Sequence, residues 1–112
     1  MSLPLLNRKL VLEAAVRTPD LSGGYGTAWQ PLGTLWAEIR AGSGTARGAN
    51  GLALSRVPLR ITVRAAPAGS DARPVVGQRF REGARVYAIV AVAERDDGAR
   101  FLTCHTEEER TA

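Results

Sequence analysis

RVPLRITVRA, residues 56–65, alternates without a break: Val57, Leu59, Ile61, Val63 and Ala65 fall on one face, Pro58, Arg60, Thr62 and Arg64 on the other. A period of two marks a half-buried strand, because successive side chains leave a pleated backbone on opposite sides. Pro58 has no amide hydrogen to give a ladder, so it suits a strand beginning or an edge.

The same period appears upstream and downstream. From Arg8 to Arg17, Leu10, Leu12, Ala14 and Val16 share a face, and TPDLSGGYG (18–26) is dense in turn formers, the tip of a long hairpin. The return strand is expected from about Leu32 to Arg40, with Leu35, Ala37 and Ile39 inward and Trp36 outward. After residue 65, a short strand or turn is expected around Val75 to Phe80. ARVYAIVAVAE (84–94) follows, apolar on both faces as in a central, doubly covered strand. RDDG (95–98) signals a tight hairpin, ARFLTCHTE completes the pair, and Glu107, Glu108 and Glu109 lead into a short polar end. No segment sustains a 3.6-residue period. The reading is all-β: a small antiparallel β-barrel of about five to six strands, which also removes open sheet edges.

One stretch stands apart. Between Ile39 and Leu52 there is no large apolar residue, and residues 42–55 are read as one long flexible inter-strand loop inserted in a single domain spanning 1–112. At 112 residues a chain buries roughly two-thirds of its unfolded surface, so it needs no metal or disulfide to fold. The single cysteine, Cys104, excludes an internal disulfide, and neither a signal peptide nor an apolar run of membrane-spanning length is apparent. A soluble protein made in a cytoplasm is expected. The net charge is +4, carried by fourteen arginines and Lys9; this arginine bias fits carboxylate or phosphate contacts, and equally a GC-rich genome.

Most enzymatic chemistry lacks its residues. Cys104 and His105 are the only cysteine and histidine, and as neighbours on a strand they point to opposite faces, unsuited to sharing a metal or forming a thiolate–imidazole pair. SGGYG (22–26) lacks the following helix and lysine of a phosphate-binding loop, and Asp96 and Asp97 sit at a solvated hairpin tip. No catalytic residue, metal or cofactor is expected. Binding signals are weaker but real. Arg56, Arg60 and Arg64 line one strand face, either as an ordinary solvated face or as a contact for protein or a nucleic-acid backbone. Glu107–Glu109 reads as a solvated end or a dock for a basic neighbour, and Trp29 and Trp36 as interface anchors or as core.

Taken in order, LVLEAAVRTPD, GGYGTAW, LGTLWAEIRAGSG, RITVRA, QRFREGARVYAIVAVAE and FLTCHTEEE resemble the phage head–tail joining proteins, the small stopper or adaptor family of long-tailed phages and of phage-derived particles such as gene transfer agents. The similarity runs over nearly the whole chain. It departs after residue 44, where TARGANGLALS is more glycine-rich than the helical, Ala- and Glu-rich tract common in such proteins.

The resemblance implies a virion protein at the head–tail interface: a stopper ring subunit that joins the portal or adaptor ring above to the tail terminator or tail tube protein below. Its copies form a ring of sixfold symmetry, and the loop reaches into the lumen to close the channel over packaged double-stranded DNA. Gly42, Ser43, Gly44, Arg47, Gly48, Asn50 and Gly51 then face the channel, where Arg47 meets phosphate without sequence preference. Trp29, Trp36, Arg56, Arg60, Arg64, Glu107, Glu108 and Glu109 are the candidates for subunit contacts. The alternatives are an adaptor without a gating role and a small nucleic-acid-binding β-barrel.

Overall fold

The computed structural model describes residues 3–42, 56–95 and 100–109. Through them run β1 (Arg8–Pro19), β2 (Tyr25–Ala41), β3 (Arg56–Arg64), β4 (Arg79–Glu82), β5 (Arg85–Glu94) and β6 (Phe101–Glu109). All neighbouring strands are antiparallel, and the order β1-β2-β3-β6-β5-β4 returns to β1, so hydrogen bonding closes into a ring. Closure depends on the short β1–β4 ladder, where Val11 faces Arg81, Leu12 faces Phe80 and Glu13 faces Arg79. The all-β, barrel-like reading holds among the described residues.

The alternating residues fill the interior as expected. Leu10, Leu12, Ala37, Ile61, Val63, Phe80, Tyr87, Ile89, Leu102 and Cys104 form the core, and Leu32, Leu35, Ile39, Leu59, Ala65 and Val92 pack around it. Each fully buried large aliphatic or aromatic side chain contributes about 1.5–3 kcal/mol relative to exposure.

Four local differences from the sequence reading have physical causes. The β1–β2 register shifts between Leu12 and Glu13, so the inward face does not continue through Val16, which is exposed; Glu13 is buried instead. Beyond that break, β1 and β2 pair out to Pro19 and Tyr25 as a mostly exposed arm, and β2 begins well before Leu32. The arm's tip is the expected turn, held by Asp20 Oδ1, which accepts from the Ser22 and Gly24 amides at 2.8 Å each.

The short strand or turn expected around Val75 to Phe80 is present as a turn at 76–77 that leads into β4 from Arg79, with Val75 and Val76 exposed. The outer face of β5 is apolar but uncovered, with Ala88 and Val90 exposed; a doubly covered strand is therefore not what this chain builds alone. Strand β6 runs on past Glu107, where the expected strand ended, through Glu108 and Glu109, and the three glutamates pair with Pro58, Val57 and Arg56. The turn residues Asp96 and Asp97 lie outside the described residues.

Register also sorts the connections by end. Arg8, Ala41, Arg56, Glu82, Arg85 and Glu109 belong to one rim, where the 43–55 segment leaves and returns. The β1–β2 arm projects from the opposite end, with Arg64, Arg79, Glu94 and Phe101 nearest it.

Candidate functional site

The rim that carries the excursion is tied by ion pairs. Arg8 donates to both oxygens of Glu82, at 2.8 and 2.6 Å, and the Tyr87 hydroxyl donates to Glu82 Oε1 at 3.1 Å. Arg85 grips buried Glu108 with two bonds, at 2.6 and 2.9 Å, and its guanidinium approaches Glu82 at 4.0 Å. Bidentate arginine–carboxylate pairs fix geometry as well as charge. These pairs link the start of β1, the β4–β5 turn and the end of β6. The Arg8 bond, aided by Tyr87, holds the Glu82 carboxyl below the usual carboxylate range. Burial first, and then Glu82, push the Tyr87 phenol up to about 12.

At the root of the excursion, the Gly42 amide donates to the Pro58 carbonyl at 3.0 Å. A Cβ at Gly42 would stand 2.9 Å from the Pro58 carbonyl carbon, so the chain exits against backbone that only glycine clears. Gly42 is thus a tightly seated anchor. Ser43, Gly44, Arg47, Gly48, Asn50 and Gly51 lie outside the described residues.

The interface candidates divide. Trp36 is 55% exposed on the outer wall of β2, where Leu6, Thr34, Leu35 and Arg64 line a shallow groove with it. Trp29, half-buried in the arm, lies under the Arg79 guanidinium at 4.1 Å; Arg79 also donates to Glu13 at 2.7 Å, and Arg81 donates to the other Glu13 oxygen at 2.9 Å. Trp29 therefore braces the arm's base against β4. Arg56 meets Glu107 at 3.5 Å, Arg64 covers the Phe101 ring at 5.7 Å, and Arg60 stands opposite Arg40 on β2 and His105 on β6. Glu109 is exposed, whereas Glu108 is inward and satisfied by Arg85.

Sequence reading passed over the Glu82–Arg8–Arg85–Glu108 network. A signal existed: carrying the inward phase of Leu102, Cys104 and Thr106 two residues further puts Glu108 inside. Cys104 is fully buried, and that burial pushes its thiol up to about 12, while His105 is on the other face of β6. Among the described residues no group of three or more His, Cys, Asp or Glu side chains converges.

Comparison with known proteins fits this architecture. The chain is similar to one in the virion of a native gene transfer agent particle, with 52% identity over 97% of this chain and 99% of that one and a TM-score of 0.81. A Shigella flexneri 2a protein of known solution structure shares the fold at 21% identity, with a TM-score of 0.64 over 96% of each chain. No curated protein matches the chain. The family model of the phage head completion proteins matches residues 1–109, nearly the full length, and the chain belongs to that family.

Proposed function

We propose that this protein is a stopper ring subunit of a phage or gene transfer agent connector, bridging the portal or adaptor ring and the tail and closing the DNA channel after packaging. Family membership makes it a structural virion component rather than an enzyme. The observation that carries the reading is the 52% identity, across nearly the whole chain, to a protein of a gene transfer agent virion.

The rim geometry supports the gating part. Residues 43–55 leave and return between the paired strands β2 and β3, where Ala41 faces Leu59, beside an end of the barrel stiffened by ion pairs. A gate needs a fixed frame and a segment that takes no part in core packing. By composition the segment suits that part, with Gly44, Gly48 and Gly51, and Arg47 to meet phosphate. Copies arranged head to tail in a closed ring, a hexamer in this reading, need two different patches on each subunit. The arm and the outer wall of β2–β3 are available for them.

A nucleic-acid-binding barrel is less well supported, because Arg8, Arg40, Arg56, Arg79, Arg81 and Arg85 already face carboxylates of the same chain. Particles in which a short Gly-Ser linker replaces residues 43–55 test the gate. Heads that fill and then lose DNase-protected DNA are expected, with rings still seen by electron microscopy. Full retention of DNA would refute gating and leave a connector without a gate.

A further inference from the structure

On the outer wall of β2, β3 and β6, a recess of about 270 Å³ is lined by Arg40, Arg60 and Arg95 together with Glu38, Thr62 and Thr103. Cross-strand pairing produces it. Arg40 faces Arg60, and one step along the strands Glu38 faces Thr62, which faces Thr103. Glu38 forms the floor: it is 8% exposed, its Oε2 accepts the Leu5 amide at 2.9 Å, and its Oε1 lies 3.1 Å from Arg40. The carboxylate is therefore committed to Leu5 and Arg40. Arg60 keeps no carboxylate partner among the described residues and has Arg40 and His105 as its lateral neighbours.

Like charges directly opposite each other on a sheet are unfavourable. Glu38 offsets Arg40 and also feels Arg95, so Arg60 is the guanidinium left to make the recess positive, with the threonine side chains of Thr62 and Thr103 beside it. That combination favours an oxyanion. The surroundings select its source. Leu3, Leu5 and Trp36 are 69%, 67% and 55% exposed; Leu5 is bonded to Glu38, and Trp36 is on the same face of β2 two residues away. An exposed Trp beside arginine, within an apolar patch, is the composition of a protein–protein contact. A surface that meets duplex DNA is more uniformly cationic and does not keep a carboxylate at its centre.

We infer that this recess is a docking pocket for an acidic side chain carried on the apolar surface of a partner protein, with Arg60 as the principal contact. The inference does not depend on channel gating. It is tested with the full-length labelled protein by following the arginine Nε–H signals and the amides of Thr62 and Thr103. The probes are a capped Leu-Glu-Leu tripeptide, inorganic phosphate and a short DNA duplex.

Saturable shifts with the tripeptide and phosphate are expected, and Arg60→Ala should weaken the tripeptide about tenfold, the scale of one charge-assisted contact. Arg60→Lys should fall between the two, because it keeps the charge and loses the fork. Arg17→Ala, in the arm, should change nothing, and the amide spectrum reports whether each variant is folded. No saturable shift with the tripeptide, or equal affinity in Arg60→Ala and Arg60→Lys variants that remain folded, would overturn the pocket. Duplex binding at these same signals more tightly than the tripeptide would overturn the protein-partner assignment.

Discussion

Replacing Glu13 by glutamine removes one charge at the point where the barrel closes and the arm begins. Glu13 sits just past the register shift in β1, is 5% exposed, and takes one bond from Arg79 and one from Arg81. A hydrogen bond to a charged group contributes about 1.5–3 kcal/mol, but glutamine retains one acceptor and both arginines can turn partly to water, so a net loss of about 2 kcal/mol is expected. With about 2.1 cal/mol/K of unfolding entropy per residue, a chain of this length should lose about 8 °C in Tm near neutral pH.

The pH dependence gives a second signature. Burial pushes the Glu13 carboxyl up, yet the bonds from Arg81 and Arg79 outweigh it and hold the group below its ordinary range. A depressed carboxyl stabilises the fold above its unfolded pKa of about 4.3, and that contribution fades as pH falls through the lower folded value. The gap between wild type and Glu13→Gln should therefore be full at neutral pH and close in acid. Thermal unfolding followed by circular dichroism across this range measures it. A gap that stays constant into strong acid would refute the charge-based account and point to a packing defect.

Other substitutions probe separate features. Gly42→Ala should destabilise by about 1–3 kcal/mol through its clash with the Pro58 backbone, read by urea unfolding. Leu102→Ala, at a fully buried core position, should cost about 2–5 kcal/mol in the same assay. Tyr87→Phe removes the bond to Glu82 and should cost about 1 kcal/mol, with loss of the elevated phenol titration near 12. Cys104, buried and with its thiol pushed up to about 12, should react with a disulfide reagent only as the protein unfolds; prompt labelling of the folded protein would contradict its placement.

Where alternation was uninterrupted, reading and structure coincide. Leu59, Ile61 and Val63 point inward on β3, Leu35, Ala37 and Ile39 on β2, and Trp36 outward. Where the register slipped, at Leu12/Glu13, local periodicity gave the wrong face for Val16, because a strand carries no mark of where its partner shifts. The candidate site was legible in the same uneven way. Arg60 was found from its spacing, but not its company: Arg40 lies twenty residues away in sequence, and Arg95 and Thr103 are farther still. The Arg85–Glu108 pair was missed because three consecutive glutamates look like a solvated end until the ladder with β3 fixes which one turns inward.

The sequence by itself determined most of the strands, most of their inward faces and the turn at Asp20–Gly24, since these depend on neighbours a few residues apart. Only the tertiary structure decided the β1–β4 closure, the arm, the gathering of arginines around Glu38, and the exposure of the apolar face of β5. Those features arise from pairing between distant strands, where register sets which side chains meet and which remain in water.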